Sequence, residues 1–131
     1  MTFTRVASSK PVTPEKAVQN AVIKMLQFHG WMVVRNQQGM GTGGSSKGRP
    51  DLEAYRNGFV MFVEVKAPRH LMKTGKLSPG GKLSDDQEKY IARLKDQDMT
   101  VLVVDDAEKF LVQLEQIQER LWPGKGIRRI C

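Results

Sequence analysis

Cysteine is almost missing from this chain: Cys131 is the only one in 131 residues. That excludes a disulfide framework and a thiolate-built metal site. Histidine is nearly as scarce. His29 and His70 lack the spacing of a metal-binding pair, and Ser45, Ser46 and Ser84 have no histidine close in sequence to activate them. No apolar run nears the roughly 20 residues that span a bilayer. Met1 to Ala7 lacks the apolar core of a secretory signal, so a cytoplasmic location is the expectation. Internal repeats are also lacking. Acids are outnumbered 14 to 21, leaving a formal net charge of +7. Such a balance favours a polyanionic partner, although charge alone equally fits a membrane surface or simple solubility.

The remaining sequence reads as one domain over residues 13–131 behind a flexible arm, 1–12. Thr13-Pro14-Glu15 is a helix start, with Thr as cap, Pro at the first helical position and an acid in the first turn. Ala17, Val18, Ala21, Val22, Met25 and Leu26 follow at helical spacing, and Gly30 can end the helix. Trp31–Arg35 is a short strand. Residues 36–48 form a Gly- and Ser-rich loop. Its Gly39-x-Gly41-x-x-Gly44 imitates a dinucleotide fingerprint but opens no helix, so no nucleotide cofactor is expected. Phe59–Val63 is apolar on both faces, the pattern of a central strand covered on both sides. Residues 67–83 read as a Gly/Pro-interrupted basic loop. Ser84-x-x-Gln87 matches a capping box and opens a helix to about Asp96. Thr100–Val104 is a buried strand, and Asp105-x-x-Glu108 caps a last helix with Phe110, Leu114, Ile117 and Leu121 on one stripe. Trp122-Pro123-Gly124 stops it before a basic tail with Arg128 and Arg129. Trp31 and Trp122 are read as core or interface residues. A helical crossover makes the last strand parallel to its neighbour, so the fold class is α/β with a mixed sheet.

The chemistry concentrates at Arg49-Pro50-Asp51 and Glu64-Val65-Lys66. Asn57-Gly58 between two strand-like runs is a type I′ hairpin signal, because both central residues need positive φ. Arg56 then pairs with Phe59, and Asp51 falls opposite Glu64 on one face, with Cβ atoms about 4.5–5.5 Å apart. Lys66 points to that same face. Two carboxylates this close repel unless a cation lies between them. Mg²⁺ or Mn²⁺ suits the pair, being hard, oxygen-seeking and content with one or two carboxylates plus substrate phosphate.

These residues, in the order α-β-β-β-α-β, resemble the PD-(D/E)xK nuclease superfamily and, within it, small stand-alone VRR-NUC domains of phages and bacteria. Four pieces carry the resemblance across residues 13–105: Glu15, Gly48-Arg49-Pro50-Asp51-Leu52, Phe62-Val63-Glu64-Val65-Lys66, and Leu83-Ser84-x-x-Gln87 before a strand. It implies a restriction-endonuclease-like core. Asp51, Glu64 and the main-chain carbonyl of Val65 would be metal ligands, and Glu15 would hold a second metal or position water. Lys66 would orient the attacking water, and Gln87 would support the site. It further implies a homodimer cleaving branched DNA, such as the four-way junctions of repair and phage replication.

Lys47, Arg49, Arg69, Lys73, Lys76 and Lys82 are the candidate DNA-phosphate contacts, the last four in an acid-free stretch. Three other readings compete: a binding module that keeps the fold, an RNA-processing nuclease, and a sequence-specific restriction enzyme. The complete Asp-Glu-Lys set disfavours the first, and no base-reading element supports the last.

Overall fold

The computed structural model of the protein describes residues 11–36 and 47–124. Most of the expected arm (1–10), the Gly39–Gly44 segment of the first loop (37–46) and the tail with Arg128 and Arg129 (125–131) lie outside the described residues. Seven elements follow in the expected order: α1 (Pro14–Phe28), β1 (Met32–Arg35), β2 (Leu52–Arg56), β3 (Phe59–Val65), α2 (Asp85–Asp96), β4 (Thr100–Val104) and α3 (Ala107–Leu121).

Local chemistry explains where they begin and end. The Thr13 hydroxyl accepts from the Lys16 amide at 3.1 Å, and Gly30 leaves the first helix at a φ of 88°. Ser84 and Gln87 close both halves of the capping box on α2. The last helix is capped by Asp106, not Asp105: the Asp106 carboxylate accepts from the amides of Glu108 and Lys109 at 2.9 and 3.0 Å. The cap is the residue directly before the first helical one and serves the second and third helical amides; with Ala107 first, that residue is Asp106, and Asp105 is one position too early.

The four strands form one sheet in the order β1-β2-β3-β4. The first three run antiparallel, and β4 lies parallel to β3. Asn57 and Gly58 take φ of 49° and 82°, as a type I′ turn requires, and Arg56 pairs with Phe59. One face of the sheet carries Leu52, Ala54, Met61, Val63 and Val65, all fully buried against α1 and α3 through Val22, Leu26, Phe110, Leu114 and Ile117. Each of these side chains except Ala54 contributes about 1.5–3 kcal/mol relative to exposure. At the end of this core Trp31 donates to Gln118 at 2.8 Å and packs on Trp122, whose other neighbour is the Arg56 guanidinium, 4.5 Å above the ring.

The opposite face is covered only in part. Alternation puts Asp51, Glu53 and Tyr55 of the β2 segment there with Val60, Phe62 and Glu64 of β3. Helix α2 packs against β4, while Met32, Val34 and Val103 stay exposed. The central strand is therefore not closed on both sides, since Val60 and Phe62 are half-buried. Nor is β4 a buried strand: it is a sheet edge, with only Val104 buried. Its apolar run reflects one covered face and an edge position. The basic loop also departs from expectation. Residues 70–78 fold back as a short hairpin in which Leu71 bridges Leu77.

Candidate active site

The antiparallel ladder of the hairpin ends at Leu52–Val63, which leaves Asp51 and Glu64 at the next position, where the strands part. The Val65 amide donates to Asp51 Oδ2 at 2.9 Å, fixing the aspartate against β3. Asp51 is also held from the residue just past β1, because the Asn36 amide donates to its carbonyl at 2.8 Å.

Glu64 is buried, with 2% of its surface exposed. Its Oε2 accepts from Gln87 Nε2 at 2.8 Å and lies 3.4 Å from Lys66 Nζ. Lys66 in turn donates to Gln87 Oε1 at 2.8 Å, and the same oxygen accepts from the Ser84 amide at 2.8 Å. Gln87 thus has two jobs: it caps α2 and locks the lysine to the glutamate. Gly48 brings Asp51's segment against that helix end. A Cβ there would stand 2.3 Å from the Asp86 carbonyl oxygen, and its φ is +87°. No other residue fits both conditions.

Electrostatics separate the two carboxyls from ordinary ones. Burial, and then the Asp51 charge, push Glu64 up to about 7 against the opposing pull of Lys66. Burial also raises Asp51, opposed by the Val65 amide and by Lys66 and Lys16. Glu64 Oε1 is buried with no hydrogen-bond partner. An orphaned oxygen of this kind is costly, and a cation shared with Asp51 would relieve both that cost and the repulsion. The donor set therefore fits Mg²⁺ or Mn²⁺.

The other expected site residues divide. Among the described residues, no group of three or more His, Cys, Asp or Glu is placed to hold an ion, so Glu15 is not gathered to the pair. It lines an open cleft of about 520 Å³ with Thr13, Lys16, Gln19 and Ala67, the residue after Lys66. The main-chain atom that the structure ties to the acids at Val65 is its amide nitrogen. Lys47 pairs with Asp86 at 3.3 Å. Arg49 is bound to Glu53 through Nε, at 3.1 Å, and through a terminal nitrogen. Arg69 donates to the Ser78 carbonyl at 3.0 Å, and Lys73, Lys76 and Lys82 are exposed.

Sequence reasoning missed Glu53. This buried acid accepts from Arg49, from Tyr55 at 2.6 Å and from Asn36 at 3.2 Å, while Asn36 also donates to the Pro50 carbonyl at 2.7 Å. Burial pushes Glu53 up, but the hydrogen bonds from Tyr55, Arg49 and Asn36 outweigh it and leave it below the usual range. Glu53 thereby anchors the Arg49-Pro50-Asp51 segment. The signal was the alternation Asp51-x-Glu53-x-Tyr55, which puts all three on one face. Lys16 was missed too: its ammonium donates to Gln19 Oε1 at 3.1 Å, and its charge opposes the rise of the Asp51 pKa.

A sheet end carrying Asp51, Glu64 and Lys66, with a glutamine supplied by the following helix, is the arrangement of a PD-(D/E)xK-like nuclease. The VRR-NUC domain matches residues 40–107, more than half of the chain. The protein belongs to the VRR-NUC family. It is therefore a nuclease by family, with DNA as the substrate that membership implies, and nucleases of this fold typically use divalent metals. No curated protein and no solved structure matches the chain. No helix among the described residues is long and apolar enough to cross a membrane.

Proposed function

We propose that this protein is a Mg²⁺- or Mn²⁺-dependent DNA endonuclease that cleaves branched DNA, four-way junctions above all, as a homodimer in the cytoplasm, with residues 13–131 as its single domain. The observation that carries the catalytic reading is the orphaned, buried Oε1 of Glu64 beside Asp51, with Lys66 fixed at the other carboxylate oxygen. A divalent ion supplies acidified water and charge neutralisation when bound. Asp51 and Glu64 would hold it. Lys66 orients the nucleophilic water and offsets charge developing on the phosphate, and Gln87 keeps the lysine in place. Lys16, on the wall of the cleft, would meet the nucleic-acid backbone, Glu15 beside it would position water, and the basic stretch from Arg69 to Lys82 would extend the phosphate track. The homodimer rests on family resemblance. The apolar residues Met32, Val34 and Val103, exposed on the partly covered sheet face, are consistent with it. Two sites related by a two-fold axis match the two cuts of symmetric branch cleavage.

The test is cleavage of labelled junction, flap, linear duplex and single-stranded DNA with either metal, beside sedimentation of the protein alone. Junction cutting by a dimer supports the reading. Preferential cutting of flaps or linear ends, or a monomer, overturns its finer part. Binding without cutting in either metal leaves a binding module.

A further inference from the structure

Residues 67–81 make a structure that nuclease chemistry does not require. The chain leaves Lys66, runs out, and returns to the same lysine. Gly81 donates to the Ala67 carbonyl at 3.2 Å and lies so close to Lys66 that a Cβ would meet its side chain at 3.3 Å. Between these ends the segment is a β-finger. The Ser78 amide donates to the His70 carbonyl at 2.7 Å and the Met72 amide to the Lys76 carbonyl at 2.8 Å. Leu71 and Leu77 lie between those two hydrogen-bonded pairs, and thus form the kind of pair whose side chains stand closest. The buried Ser78 hydroxyl, which accepts from the His70 amide at 2.9 Å, faces the protein. Alternation turns Leu71 and Leu77 the other way, and they are 69% and 55% exposed. Arg69, His70, Lys73 and Lys76 flank them in sequence, His70 and Lys76 alternating to the Ser78 face and Arg69 donating to the Ser78 carbonyl, with no acid between Lys66 and Asp85.

We propose that this finger is a wedge for branched DNA. Leu71 and Leu77 insert against unstacked bases at a branch point, while Lys73 and Lys76 hold the flanking phosphates. An exposed apolar pair on an acid-free basic finger, with exposed Lys73 and Lys76 at its tip, fits a base step exposed within a polyanion, and apolar wedges between base steps are an established way of opening a duplex. The proposal rests on the reading of the chain as a DNA nuclease and deepens it, because the finger would select the substrate. Leu71 is five chain steps from Lys66, about 17 Å of extended chain. Cuts then fall within roughly five nucleotides of the branch, at about 3.4 Å per nucleotide.

The experiment places 2-aminopurine at the branch of a four-way junction and measures fluorescence and affinity in EDTA, so that no cutting is needed. Wild type should raise the fluorescence several-fold and bind the junction at least tenfold more tightly than linear duplex. The exposed double variant Leu71→Ser/Leu77→Ser should keep the wild-type melting temperature and lose both effects. Lys73→Ala/Lys76→Ala should weaken binding to every DNA while the fluorescence rise at saturation persists. A wild type that binds without unstacking, a leucine variant that still unstacks and selects the branch, or tighter binding to anionic phosphatidylserine vesicles than to DNA overturns the wedge. Unstacking without any metal-dependent cutting keeps the wedge and overturns the catalytic reading; cutting unaffected by the leucines does the reverse.

Discussion

Glu64 is where burial, charge and chemistry meet. Its carboxyl holds a proton up to about pH 7 in the native state, whereas the unfolded chain releases it near 4.5. Native protein therefore binds more protons than unfolded protein across that window, and stability falls as pH rises through it. In EDTA the loss between about pH 5 and about pH 8 should reach up to about 3 kcal/mol, at about 1.4 kcal/mol per pKa unit. Urea melts at the two pH values measure it. Glu64→Gln should flatten the slope, and saturating Mg²⁺ should flatten it in wild type. An unchanged slope in the variant would remove Glu64 as its source. Glu53 has the opposite sign: held low, it stabilises the fold at neutral pH and gives that up only in acid. Glu53→Gln should cost about 1.5–3 kcal/mol, the scale of charged hydrogen bonds. It should also slow cleavage by freeing Asp51's segment, with DNA affinity little changed. Full activity with the stability loss would make Glu53 purely structural.

At the scale of elements, α2 is a helix whose first turn is part of the site. Ser84→Ala removes one cap bond and should cost about 1 kcal/mol. Gln87→Ala should cost a similar amount but reduce kcat by at least tenfold more than Ser84→Ala, because it also releases Lys66 and Glu64. Equal kinetic effects would mean that the glutamine acts only as a cap. The elements show what a sequence can reveal. Asn57-Gly58 set the hairpin register because its turn type admits one pairing, and that register put Asp51 beside Glu64. Ser84-x-x-Gln87 announced α2 by the same local logic. Glu53's bond to Tyr55 lay in the alternation, but its bond to Asn36 was not legible, since Asn36 reaches it only after β1 pairs with β2. The finger hid behind its glycines and prolines, which read as a loop although Leu71 and Leu77 pair across it. Val103 misled in the other direction: an apolar run marks a strand, but not whether the strand lies inside the sheet or at its edge.

For the whole molecule, a net charge of +7 should make DNA affinity fall steeply with salt. Each phosphate-contacting lysine removed from the finger should reduce the log–log slope by about 0.9. Anisotropy titrations across a salt series with Lys73→Ala and Lys76→Ala measure this; slopes equal to wild type would put the phosphate track elsewhere. The central claim concerns the pair of acids and the lysine between the hairpin and α2. Its most direct test is the cleavage of one labelled four-way junction by wild type, Asp51→Asn and Lys66→Ala, in Mg²⁺ and in EDTA. Wild type should cut only with the metal, and each variant should lose about 100-fold or more in rate while still binding the junction, the scale of removing a preorganised charge from a transition state. Cutting in EDTA, or wild-type rates in either variant, would contradict the account.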